Sequence, residues 1–182
     1  QFLTAAFPQG VEFPATGPLP SLPELPQAPV RAFSIDDATT TEIDDAFSVR
    51  ELANGNLEIG IHIAVPALAI PRGSPLDAVA RTRLSTVYMP GRKLTMLPDD
   101  VVDAYTLQEG RNCPALSLYL TLDEATLEIT GSVTRLDRVP IVSNLRQSAL
   151  DSTFNEASWE AGQTSPPVAW AWGTERTFLP SP

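Results

Sequence analysis

Residues 30–49 read Val30-Arg31-Ala32-Phe33-Ser34-Ile35-Asp36-Asp37-Ala38-Thr39-Thr40-Thr41-Glu42-Ile43-Asp44-Asp45-Ala46-Phe47-Ser48-Val49. Five acids, Asp36, Asp37, Glu42, Asp44 and Asp45, fall within ten residues of a chain that has only 22. Like charges this close raise one another's pKa, so the arrangement costs stability unless solvent, a cation or basic side chains compensate. The flanks, 30–35 and 46–49, are rich in strand-forming residues, so the acids are expected in an ordered connection between two strands. Oxygen-only ligands select Mg²⁺, Mn²⁺ or Ca²⁺ over softer metals. An EF-hand loop would need a Gly at its sixth position and a Glu at its twelfth, and neither offset is met from Asp36 or Asp37.

Moving outward, residues 46–64 predict a hairpin turning at Asn54-Gly55, because both residues tolerate positive φ. In its second strand Leu57, Ile59, Ile61 and Ile63 share one face, which is expected to be the core; Glu58, Gly60 and His62 lie opposite. Residues 115–122 and 127–139 predict a second hairpin around 123–126, with Ala115, Ser117, Tyr119 and Thr121 alternating against four leucines. Ser74-Pro75-Leu76-Asp77 carries a helix start: a hydroxyl cap, Pro at the first helical position and an acid at the positive end of the dipole. That helix is expected to run to about Ser85, burying Leu76, Val79, Ala80 and Leu84.

Between Asp77 and Asp99 there is no acid, and the window holds Arg81, Arg83, Arg92 and Lys93 with Tyr88 among them. Such a mixture suits a phosphate backbone with a stacked base; a solvated helix face plus a core tyrosine explains the same residues. His62 and Cys113 are the single histidine and cysteine. One cysteine excludes an internal disulfide and favours a reducing, cytoplasmic compartment, with the thiol buried. No orienting pattern accompanies the pair, so nucleophilic catalysis by them is the weaker reading.

The 182 residues suffice for one domain with appendages, and 43% hydrophobic residues can build a packed core. Residues 1–29 contain seven prolines and predict a linker or extended arm. After Asp151 the periodicity weakens, so 151–182, which holds all three tryptophans, is a tail of uncertain continuity. No run reaches the length of a membrane span. The net charge of −10 and pI near 4.4 argue against a general nucleic-acid-coating protein, but not against a nuclease whose acids surround metal.

In order along the chain, Ser34-Ile35-Asp36, Glu42-Ile43-Asp44-Asp45-Ala46, Ile61-His62-Ile63-Ala64-Val65-Pro66, Leu76-Asp77, Tyr88-Met89-Pro90-Gly91, Met96-Leu97-Pro98 and Ala115-Leu116-Ser117 resemble the blocks of the RNase II and RNase R catalytic domain, the RNB domain. The resemblance assigns 30–150 to the amino-terminal part of that domain. It implies an α/β (α+β-like) fold with a mixed sheet and flanking helices, and a 3′-to-5′ exoribonuclease releasing nucleoside 5′-monophosphates. It also implies single-stranded RNA as partner, neither DNA nor membrane, and Mg²⁺ as cofactor, with Mn²⁺ as the alternative. Asp36, Glu42, Asp44 and Asp45 match its metal-site positions, with Asp44 and Asp45 catalytic. Tyr88 matches a tyrosine that contacts RNA near its 3′ end; Arg81, Arg92 and Lys93 complete the expected RNA surface. Asp37 matches no family ligand and is expected to be solvated. Glu42 stands where the family usually has Asp, a departure that alters ligand geometry. The family's distal half, which supplies further basic and aromatic residues, has no counterpart after Asp151. The open explanations are a truncated product, a sequence with segments removed, or a shortened relative that serves as a non-catalytic RNA-binding or scaffold module.

Overall fold

A computed structural model describes residues 7, 10–15 and 18–151. The expected tail after 151, and residues 1–6, 8, 9, 16 and 17 of the proline-rich arm, lie outside the described residues. Those described form two compact units: residues up to Glu24 with Val65–Tyr105, and Leu25–Ala64 with the chain from Thr106 onward.

The second unit is a closed barrel. Its strands are β1 (Ala32–Asp36), β2 (Asp45–Glu51) and β3 (Leu57–Ala64), then β6 (Asn112–Leu122) and β7 (Ile129–Arg146), in the order β1-β2-β3-β6-β7. The expected mixed sheet is present: β1 runs parallel to β7 and the other pairings are antiparallel. The parallel seam closes the barrel and places Ser34 opposite Asn144 and Asp36 opposite Arg146. Both expected hairpins form. In the first, Gly55 takes positive φ (82°), and its N–H donates to the Leu52 carbonyl at 2.9 Å. The end of the proline-rich stretch is tied to β7, because Ala28 N donates to Arg138 O and Arg138 N to Pro26 O, both at 2.8 Å. A short helix, Gln147–Asp151, follows β7 directly.

The expected core face of β3 is reversed. Gly60 and His62 are buried, whereas Ile63 is 45% exposed, and its cross-strand partner Leu116 on β6 is 46% exposed. A barrel of few strands is narrow, so its interior takes small or tightly bonded side chains while bulky aliphatic rows turn outward. Inside lie Ala32, Ala46, Ala115, Val139 and Ile141, together with buried Ser34, Ser48, Ser117, Tyr119 and Asp137.

Apart from Ser34, these polar groups bond to one another and to His62. His62 Nδ1 lies 2.8 Å from Ser117 Oγ and His62 Nε2 lies 2.9 Å from Ser48 Oγ. Ser117 Oγ and Tyr119 OH donate to the two oxygens of Asp137 at 2.7 and 2.8 Å. With its proton committed to Asp137, Ser117 accepts from His62 Nδ1–H, which leaves Nε2 to accept from Ser48. Burial therefore holds His62 neutral, its pKa lowered from 6.5 to about 4, with Asp137 and Glu58 opposing the shift. Glycine is required at position 60, since a Cβ there would lie 2.4 Å from Ser48 Oγ and 2.7 Å from His62 Nε2.

The first unit carries the predicted helix as α1 (Pro75–Arg83), capped by Ser74 Oγ accepting from Asp77 N at 3.1 Å. It stops two residues early, because Leu84 adopts the left-handed conformation (φ 62°) and is 78% exposed. Leu84 is thus not in the buried stripe; Arg83 is. The Arg83 guanidinium donates to the carbonyls of Thr95, Val11 and Glu12 at 2.8, 2.8 and 3.2 Å and lies 4.0 Å over the Phe13 ring. The strands β4 (Val87–Met89) and β5 (Arg92–Leu94) form a separate two-stranded sheet, followed by α2 (Asp99–Tyr105). Leu76, Ala69, Leu97, Val101 and Tyr105 make this unit's own core.

Candidate functional site

The acidic run is the connection between β1 and β2: Asp36 ends one strand, Asp45 begins the next, and Asp37, Glu42 and Asp44 lie between. The connection is ordered by its backbone bonds. Ile43 is buried in the barrel core, its N–H donates to Thr106 Oγ1 at 2.8 Å, and its carbonyl accepts from Leu107 N at 2.9 Å. Asp44 O accepts from Ala64 N at 2.8 Å, and Arg146 Nη1 donates to the carbonyls of Asp37 and Thr40 at 2.9 and 3.3 Å. Ile43 turns into the core, while its neighbours Glu42 and Asp44 are half-buried and exposed respectively.

The acids act on one another. Although Asp44 as a residue is exposed, its carboxyl is partly desolvated, which raises its pKa; repulsion from Glu42, Asp45 and Asp36 raises it further. One oxygen of Glu42 is withdrawn from solvent. Asp36 Oδ2 accepts from Ser34 Oγ at 2.5 Å. Asp37 is exposed. Among the described residues no three acid, imidazole or thiol groups already converge as ligands of a single metal ion. The donor chemistry fits a hard divalent cation, being all oxygen and mutually repelling; ligation requires these side chains to turn onto a common ion.

The expected RNA-binding residues belong to the other unit. Tyr88, 70% exposed, sits on β4 opposite Lys93 on β5, and Arg92 pairs with Met89 next to it; both cations are exposed. By register Tyr88 and Lys93 share one face of the β4–β5 hairpin, and Arg92, one residue along, lies on the other. Arg81 lies on α1, where its Nε donates to Asp77 Oδ2 at 3.0 Å. Arg83, also in the acid-free window, is the buried clamp described above.

His62 and Cys113 form no catalytic pair. Both ring nitrogens of His62 are engaged by serines, and Cys113 Sγ donates to Thr106 O at 3.4 Å, with burial raising the thiol's pKa. Of the supports of the acidic loop, the sequence marks only Ser34, as the first residue of the Ser34-Ile35-Asp36 block; Thr106, Asn144 and Arg146 carry no such mark. Ser34 had a usable signal, since it shares a strand face with Asp36 two residues on. Asn144 and Arg146 lie some hundred residues away and become neighbours only through the parallel seam.

Residues 28–161 match the RNB domain family, and the chain belongs to it. Exoribonuclease 2 of Edwardsiella piscicida is 46% identical over 91 residues, covering 50% of this chain and 14% of that protein. Ribonuclease II, chloroplastic/mitochondrial, of Arabidopsis thaliana is 35% identical over 94 residues, covering 51% of this chain and 12% of that protein. The chain therefore spans a small part of the relatives it matches. Among solved structures, yeast Ssd1, a pseudonuclease, superposes with a TM-score of 0.61 at 31% identity, covering 68% of this chain and 15% of that one. Mycoplasma genitalium RNase R, in complex with ribose-methylated single-stranded RNA, gives a TM-score of 0.64 at 17% identity. It covers 79% of this chain and 22% of that one, a likeness of fold.

Proposed function

We propose that this chain is the amino-terminal part of the catalytic domain of a 3′-to-5′ exoribonuclease that hydrolyses single-stranded RNA to nucleoside 5′-monophosphates. The observation that carries the reading is the ordered β1–β2 loop, in which Asp36, Glu42, Asp44 and Asp45 stand together in a chain of the RNB family. Asp36, Glu42 and Asp45 would hold Mg²⁺ or Mn²⁺, and Asp44 would also ligate and position the attacking water. When bound, a pair of such cations activates water and neutralises charge on the phosphate. Water oxygen joins phosphorus, the bond from phosphorus to the 3′ oxygen of the preceding nucleotide breaks, and that oxygen leaves as a hydroxyl after taking up a proton. Tyr88 offers a stacking surface for a base, and Arg92 and Lys93 attract phosphate, with Arg81 further along the same unit.

A second reading, a non-catalytic RNA-binding or scaffold module, is favoured by two observations: Glu42 in place of the usual Asp, and the likeness to a yeast pseudonuclease. End-labelled single-stranded RNA incubated with the protein and Mg²⁺ or Mn²⁺ separates them. Mononucleotides suppressed by EDTA support the nuclease; RNA bound but uncut at high protein concentration supports the module.

A further inference from the structure

The carboxylate of Asp36 is not left to orient itself. Asn144, on β7, is pinned at both ends of its amide: Glu109 N donates to Oδ1 at 2.7 Å, and Nδ2 donates to Leu107 O at 2.9 Å. The Asn144 backbone is held as well, its N–H donating to Glu109 Oε2 at 2.9 Å. The amide orientation is thereby settled, because each end meets a partner that only the observed assignment satisfies. The same Nδ2 lies 2.9 Å from Ser34 Oγ and can only donate to it. Ser34 is fully buried, and with its oxygen accepting from Asn144, its single proton is directed at Asp36 Oδ2, 2.5 Å away.

From this we infer that Asn144 and Ser34 are positioning residues: a one-directional chain from Asn144 through Ser34 to Asp36 occupies Oδ2 with a donor and leaves Oδ1 to ligate a divalent cation. The inference rests on the reading of Asp36 as a metal ligand. It assigns a role to β7, the strand that the parallel seam brings beside β1, and explains why a buried serine and a half-buried asparagine face each other there. Ligands oriented by such outer partners lose metal affinity when the partner is removed, typically about 10- to 100-fold. Asn144→Asp deletes the donor and supplies an acceptor, so the Ser34 proton is drawn away from Asp36.

Mn²⁺ binding to the full chain, followed by titration calorimetry and by the electron paramagnetic resonance of free Mn²⁺, tests this without any turnover. Ser34→Ala and Asn144→Asp are each expected to weaken Mn²⁺ binding by about 10- to 100-fold, and the double variant no more than the weaker-binding single, since both act through one chain. Ser34→Thr, which keeps the hydroxyl, is expected to bind within about threefold of the parent, a rescue that a purely structural serine in a tight interior would not give. Should Asn144→Asp fail to fold, the Ala and Thr variants at position 34 decide the matter. A parent that binds Mn²⁺ with Ser34→Ala equal to it overturns the positioning role alone. A parent that binds no Mn²⁺ overturns the ligand assignment and this role with it.

Discussion

Acidification is expected to destabilise the barrel through His62, and the size of the effect follows from its surroundings. His62 is 0% exposed, both ring nitrogens are bonded to serines, and its pKa is lowered from 6.5 to about 4. Between these values the unfolded chain binds a proton that the folded chain does not, so stability rises with pH and is lost as pH falls through this window. Below the folded value the full difference applies, about 3 kcal/mol at ~1.4 kcal/mol per pH unit. At pH 5 most of the unfolded imidazole is charged and little of the folded is, which gives a loss of about 2 kcal/mol relative to pH 7. Urea unfolding at pH 7 and pH 5 measures it, with His62→Gln as reference because glutamine keeps a donor and an acceptor but does not titrate. Subtracting the variant cancels the carboxylates, including Asp44, whose raised pKa acts in the opposite direction. The parent is expected to lose about 2 kcal/mol more than the variant on going to pH 5. Equal losses in the two proteins would refute the buried, neutral imidazole.

Gly60→Ala is expected to cost about 1–3 kcal/mol in urea unfolding, because the added methyl collides with Ser48 Oγ and the His62 ring. Arg83→Lys is expected to destabilise by about 2 kcal/mol despite keeping the charge, since an ammonium cannot reach Thr95, Val11 and Glu12 carbonyls at once while stacking on Phe13; thermal melting of the two proteins side by side reads this. Ser74→Ala removes the cap of α1 and is expected to cost about 1 kcal/mol, with Ser74→Asp restoring most of it in the same melt.

Local chemistry made some elements legible. The Asn54-Gly55 turn fixed the first hairpin, Ser74-Pro75 fixed the start of α1, and the acids between two β-rich stretches marked the connection that the structure shows. Alternation also placed the strand faces correctly as sets, but not which set points inward. For β3 the aliphatic row looked like core because burial normally follows hydrophobicity. Closure into a five-stranded barrel reversed this, since the narrow interior takes Gly60, His62 and Ser48 in a satisfied polar network and turns Ile63 and Leu116 outward. Closure itself depends on β1 pairing with β7, a contact over a hundred residues in sequence that no periodicity encodes. Arg83 illustrates the same limit: in sequence it is one more cation in a basic window, and only the carbonyls gathered around it make it part of the fold. Asn144 and Arg146 carry no local signal for the same reason, since only the β1–β7 seam brings them beside the loop.

The proposed role of the acidic loop as the catalytic centre of an RNA hydrolase is tested most directly by the Asp44→Asn variant. With end-labelled single-stranded RNA and Mg²⁺ or Mn²⁺, the parent is expected to release 5′-mononucleotides in an EDTA-sensitive reaction. Asp44→Asn is expected to fold and bind the same RNA while losing most of that release. A variant that cleaves at the parental rate, or a parent that binds RNA and releases nothing, would contradict it.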